Sequence, residues 1–226
     1  MDTLKRDVAR SQMPGSLICT ATMDLQQVLS TPALTHSQMY YSRQLSHFNL
    51  GIHIGDTNDA YMCLWHEGIS GRGGNEIASC VLKVFSSGAT NKKILIMWSD
   101  NCAGQNKNRM IILLWIYLIK LGIFDEIEQK FLITGHSYLN CDRDFALIEK
   151  RKKVCSPMTP NDLIKMIREA RERPFNVISI DKENFYDFQK SADSVITTDK
   201  VSISKANWIK ISNKQINKIK SPYYVE

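Results

Sequence analysis

Apolar and polar positions alternate in short runs through the first third of the chain and then give way to longer runs at helical spacing. Over residues 16–24, Leu17, Ile18, Cys19, Ala21 and Met23 predict a strand that ends on an acid, Asp24. Residues 47–54 and 60–65 predict two more strands, joined by the turn-rich Gly55-Asp56-Thr57-Asn58-Asp59. Between the first and second strands, residues 25–41 contain Pro32 and read as a connection with a helical turn or two. A glycine-rich loop at 68–74 holds Arg72, and the following helix over 76–85 places Ile77, Val81, Val84 and Phe85 on one side. Next come a strand at 94–98, a helix at 105–121, a strand at 131–134 and a helix at 142–152. A last helix, 161–173, is opened by Thr159-Pro160 and stopped by Pro174.

Three strands joined by short connections imply antiparallel pairing, and the later strand–helix alternation implies parallel additions. The expected architecture is therefore α/β: a mixed sheet, three antiparallel strands then two parallel, with helices on both faces. Residues 1–15 read as a lead-in, 16–173 as the core and 174–226 as a basic carboxyl-terminal extension.

The chemistry lies at the strand ends. Trp98-Ser99-Asp100-Asn101-Cys102-Ala103-Gly104-Gln105-Asn106-Lys107-Asn108 puts an acid and small polar residues directly after a strand. In open α/β sheets, ligands sit at the carboxyl ends of the strands. Asp24 ends the first strand, and Asp142 opens the helix after the fifth. Carboxylates gathered at neighbouring strand ends repel one another unless a cation neutralises them. Hard oxygen donors favour Mg2+ or Mn2+, and two such ions about 3.5–4 Å apart suit phosphodiester chemistry. At about 100° per residue, Asp142 and Glu149 share a helix face while Asp144 points away. The order of preference for the third acid is therefore Asp142, Glu149, Asp144. Asp142 also suits the plain role of capping its helix.

The chain has 226 residues and a formal charge of +6, unevenly placed. Lys150-Arg151-Lys152-Lys153 is one basic cluster. A second runs through Lys205, Lys210, Lys214, Lys218 and Lys220, with Trp208, Tyr223 and Tyr224 interleaved. Basic residues among aromatics suit a phosphate backbone and exposed bases, or equally a solvated tail. Gln105, Asn106 and Asn108 stand at a helix start, fit for phosphate or base contacts or for capping. The six cysteines show no C-x-x-C pair, which argues against a zinc ribbon or disulfide framework. The longest apolar run, 110–119, is too short to span a membrane. Neither a secretory leader nor G-x-G-x-x-G, P-loop or G-x-S-x-G is visible. Glu67, Arg72 and Glu76 are expected to form an ion pair around the glycine-rich loop.

Strand order and acid placement over 16–173 resemble the ribonuclease H-like superfamily, within it the acidic-triad cores of transposases and integrases. More specifically, the chain resembles a family of uncharacterised, transposon-derived domains of invertebrate genomes. The matching stretches are Met23-Asp24-Leu25-Gln26-Gln27-Val28-Leu29, Leu64-Trp65-His66-Glu67, Arg72-Gly73-Gly74-Asn75-Glu76-Ile77, residues 99–108, and Gly135-His136-Ser137 with Asp142 and Ile148-Glu149. The resemblance implies Asp24, Asp100 and Asp142 as metal ligands, with Glu149 as substitute third acid. It also implies His136 as a residue positioning a phosphate or water, and a nuclear location that the 150–153 cluster favours. Little chain precedes Asp24, so the expectation is a truncated or domesticated remnant rather than a full mobile-element protein.

Two readings follow. One is a magnesium-dependent DNA strand-cleaving or strand-transferring core, working as a homo-oligomer or with a separate targeting protein. The other is a non-catalytic scaffold of the same fold that binds nucleic acid, through Lys210, Lys214 and Lys218, or binds a protein partner.

Overall fold

One strand, β1 (Ile18–Leu25), runs down the centre of an eight-stranded mixed sheet in a computed structural model that describes residues 3–33, 43–132, 139–195 and 203–216. On one side it pairs antiparallel with β3 (Leu45–Ile54), which pairs antiparallel with β4 (Ala60–His66). On the other side it pairs parallel with β5 (Ile94–Ser99), which pairs parallel with β6 (Glu126–Phe131). A short strand, β2 (Leu29–Thr31), adds to β3. The edges are β7 (Asn176–Ser179), parallel to β4, and β8 (Trp208–Ser212), antiparallel to β6.

Helices cover both faces. β1 sends Cys19, Ala21 and Met23 to one side, and β3 sends Phe48, Leu50, Ile52 and Ile54 there too. On that side lie α2 (Gly74–Ser86), α3 (Arg109–Lys120) and α6 (Phe188–Val195), through Val81, Leu114 and Phe188. The opposite side receives α1 (Thr3–Ser11), α4 (Asn140–Lys152) and α5 (Pro160–Arg168), through Leu4, Phe145 and Met166. A short α7 (Asn213–Ile216) follows β8. No helix among the described residues is long and apolar enough to cross a membrane. None of the six cysteines is bridged.

The second face is unusual in its polarity. Strands buried on both sides normally read as continuous apolar runs. Here the central strands turn Thr20, Thr22 and Asp24, and His47, Asn49, Gly51 and His53, toward α1 and α4. Buried polar groups need partners, and most of these have them, although Thr22 Oγ1 and Asn49 Oδ1 find none among the described residues. Thr20 Oγ1 donates to Asp7 O at 3.0 Å, Thr31 Oγ1 meets His47 Nε2 at 2.8 Å, and His53 Nδ1 meets Asp144 at 2.6 Å. Gly51 has a steric reason to lack a side chain. A Cβ there would stand 2.6 Å from Phe145 Cε1 and 2.7 Å from Cζ, so α4 crosses β3 only over a glycine. Gly51→Ala is therefore expected to cost about 1–3 kcal/mol by overpacking, read as a lower urea midpoint at unchanged slope. A midpoint equal to the parent's would show that Phe145 yields freely.

Several elements differ from the sequence expectation. Residues 3–11 form α1, whose Asp7 is buried and receives hydrogen bonds from Trp98 Nε1 (3.1 Å) and Lys130 Nζ (2.8 Å). The described part of the connection after β1, residues 26–33, contains β2 and no helical turn, and the rest of the expected 25–41 connection lies outside the described residues. The sixth strand starts at Glu126, ahead of the expected 131–134. Gln129 occupies an inward slot there, donating to Ser99 Oγ at 3.0 Å, and so hides the apolar alternation. α5 ends at Arg168, before the expected 173, because Arg171 and Arg173 leave the helix to bind the β3–β4 turn at Asn58 O and Thr57 O. The segment beyond 173, expected as an extension, supplies both edge strands. At the glycine-rich loop, Glu76 accepts from Ser70 Oγ (2.6 Å) and Gly73 N (2.8 Å) instead of pairing with Arg72, which lies over the Phe48 ring.

Candidate acidic site

The register of β1 against β5 decides where two acids stand. Thr22 is level with Trp98 in this parallel pair. Two residues further on, Asp24 lies near the end of β1 and Asp100 directly follows β5, so both acids stand at the same end of the sheet, near enough for the Asp100 charge to act on Asp24. Asp142 sits in the first turn of α4, which packs across the sheet's polar face. The charges of the other two acids reach Asp24. Burial pushes the Asp24 carboxyl up to about 6, the Leu25 amide pulls it down, and the charges of Asp100 and Asp142 push it further up.

Each acid is held by a donor of known identity. Leu25 N–H donates to Asp24 Oδ1 at 2.8 Å. Asp100 Oδ1 accepts from Cys102 N at 3.0 Å and from Asn106 Nδ2 at 2.6 Å. Asp142 Oδ2 accepts from Leu139 N at 2.7 Å, the reciprocal bond of a helix start. Each of these bonds uses one oxygen and leaves the second for another partner. The donor set is all hard oxygen, which suits a divalent ion of the magnesium type. Among the described residues, however, no three His, Cys, Asp or Glu side chains are drawn close enough to hold an ion as they stand.

Glu149, seven positions after Asp142, reaches the end of β1 by another route. Its Oε1 accepts from Gln26 Nε2 at 2.9 Å, and Gln26 Oε1 accepts from Asn49 Nδ2 at 2.8 Å. Asp144 points the other way, into His53 and Arg171. Gln26 and the His53–Asp144–Arg171 group were not anticipated from sequence. The available signal was the row of polar residues on alternate positions of β1 and β3.

The residues expected to contact nucleic acid divide sharply. Asn106 is buried and its amide orients Asp100. Asn108 caps α3, accepting from Ile111 N at 3.1 Å while donating to Ala103 O and Gln105 O. Gln105 sits half-buried in the turn closed on Cys102 O. Lys210 Nζ meets Glu126 at 2.7 Å and Glu128 at 3.6 Å. Burial alone would lower its ammonium, but the bond and charge of Glu126, with Glu128, raise it instead. Lys214 is exposed on α7. His136 and Lys218 lie outside the described residues. Cys141 is fully buried, and Cys102 serves through its backbone.

Lys107 was not singled out. It is nearly buried, donates to Asn101 Oδ1 at 3.1 Å and lies over the Phe131 ring, and burial lowers its ammonium. A cavity of about 550 Å³ between α2, α3 and α6 is lined by Leu82, Leu113, Tyr117 and Phe188. It lies across the sheet from the acids and has no part in this site.

No curated protein and no solved structure matches this chain. One family model, described as a domain of unknown function (DUF7869), matches residues 38–225, a stretch that takes in Asp100, Asp142 and Glu149 and begins after Asp24. The chain belongs to that family, DUF7869.

Proposed function

We propose that Asp24, Asp100 and Asp142, with Glu149 as a neighbouring fourth acid, form the metal-dependent centre of a DNA strand-cleaving or strand-transferring core of ribonuclease H-like type. The observation that carries this reading is the Asp24 carboxyl, raised by burial and by two other acids from separate elements. Like charges placed together at the carboxyl end of a sheet are costly in an empty pocket. They become useful when a cation joins them. The sheet adds support: β1, β3 and β4 pair antiparallel and β5 and β6 add in parallel, the mixed pattern this reading expects.

Divalent ions bound here would supply a water or hydroxyl activated for attack and a stabilised leaving oxygen. The protein's own part is orientation. Asn106 fixes the rotamer of Asp100, the Leu139 amide fixes Asp142, and Gln26 ties Glu149 to β1. Such supporting bonds set ligand direction and basicity. This reading carries with it a transposon origin, DNA as partner and work in the nucleus.

The test is cleavage of plasmid and linear duplex DNA by the folded protein in Mg2+ or Mn2+, with EDTA as the blank. Cleavage that rises with metal and vanishes in EDTA is the expected result. A folded protein that cuts nothing across a full titration of both ions defeats the catalytic reading. One observation favours the runner-up, a DNA-binding scaffold without catalysis: Asp142 already spends an oxygen on its own helix start.

A further inference from the structure

A polyanion approaching three carboxylates is repelled unless cations flank them, and α4 supplies such cations on the side of the helix next to the acids. At about 100° per residue, Glu149 lies about 20° to one side of Asp142. Lys153, Lys150 and Arg143 lie about 20°, 80° and 100° to the other. The buried side chains Cys141, Asp144, Phe145 and Ile148 occupy the opposite arc. Arg143, Lys150 and Lys153 are all exposed. No salt bridge joins any of them to an acid among the described residues, whereas Arg151 meets Glu169 at 3.5 Å and Lys152 meets Glu149 at 3.8 Å. From Arg143 to Lys153 the ridge is about 15 Å long at 1.5 Å per residue. That is the axial length of about four nucleotides of one DNA strand.

We propose that the outward ridge of α4, made by Arg143, Lys150 and Lys153, is the surface that holds the DNA phosphate backbone beside the acidic site. This rests on the DNA reading above and moves the interface away from the carboxyl-terminal lysines, of which Lys210 is neutralised by Glu126 and Glu128. Its physical content is positional. The basic ridge shares one helix with Asp142 and Glu149, which stand beside Asp24 at the end of β1, so a strand lying along the cations passes the carboxylates.

The experiment is binding of a fluorescein-labelled DNA duplex of mixed sequence, followed by anisotropy in EDTA over a salt series. It compares the parent with the triple variant Arg143→Ala, Lys150→Ala, Lys153→Ala. A charge-matched control replaces Lys83, Lys120 and Lys190, exposed on α2, α3 and α6 across the sheet. Melting curves of all three proteins establish that they are folded. Loss of three phosphate contacts should weaken binding at least about tenfold at physiological salt and flatten the log–log salt slope by about 2.7. The control should shift less than about twofold. A ridge variant that binds like the parent with the same slope overturns the proposal. So does a control that loses as much, because net charge alone would then be the cause. Ridge-dependent binding by a protein that cuts nothing in Mg2+ or Mn2+ supports the ridge while removing the catalytic reading.

Discussion

Asp144→Ala is expected to cost about 3–5 kcal/mol of folding stability, the range for stripping one partner from a buried ion pair. Asp144 and His53 are each 2% exposed and lie 2.6 Å apart. Arg171, 11% exposed, approaches the other carboxylate oxygen at 3.7 Å and stacks on Phe175. Burial lowers the Arg171 guanidinium and Asp144 opposes that shift. Without the carboxylate, a cation and an imidazole face each other with little water. The group also joins three elements: His53 on β3, Asp144 on α4 and Arg171 beyond α5. Its loss therefore loosens the helix that presents Asp142 and Glu149. Urea unfolding measures the cost, and the double variant Asp144→Ala, Arg171→Met should recover about 1–3 kcal/mol because the stranded charge goes with its partner. A single-variant cost below about 1 kcal/mol would mean that solvent reaches the group.

Much of the central fold was legible because local pattern and final environment agree there. β1 alternates and stops on an acid, and α3 is a nearly unbroken apolar helix between Asn108 and Lys120. Helical geometry separated Asp142 from Asp144 correctly, since that angle depends on the backbone alone. What sequence hid depends on distant partners. α1 is a nine-residue helix with few apolar side chains, too short to stand alone. It is held by Asp7 receiving bonds from Trp98 and Lys130, roughly a hundred positions later. β7 and β8 have four and five residues, too little pattern to read before a sheet edge is present to pair with. The lysine-rich end looked free because Glu126 and Glu128, which neutralise Lys210, belong to a strand far away in sequence. Asn106 and Asn108 looked available for a ligand for a different reason: their partners are only three to six positions away but come within reach only once the turn has folded.

Asp24→Asn should make the protein more stable and abolish its proposed chemistry. The Asp24 carboxyl, about 3.8 when unperturbed, stands near 6 in the fold, chiefly through burial, with Asp100 and Asp142 adding to it. Below about pH 4 the group is protonated in both folded and unfolded chains, and no penalty exists. Between about pH 4 and pH 6 the folded chain keeps a proton that the unfolded chain has released, so stability falls as pH rises through this window. Above pH 6 the full penalty applies. The shift converts to at most about 3 kcal/mol, and partial solvent exposure reduces it to about 1–2 kcal/mol. Asparagine keeps the oxygen that accepts from Leu25 N and removes the charge. At pH 7.5 the variant should therefore be more stable by about 1–2 kcal/mol, and its stability should lose this dependence between pH 4 and pH 6. Magnesium should raise the melting temperature of the parent and leave the variant nearly unmoved, because ion binding relieves the same repulsion. Any metal-dependent DNA cleavage should fall about 10²–10³-fold or more, the loss typical of removing one preorganised electrostatic group. A variant less stable than the parent at pH 7.5, with an unchanged pH profile, would mean that Asp24 pays no electrostatic penalty. The strain that a metal would relieve, and with it the case for a shared ion site, would then be gone.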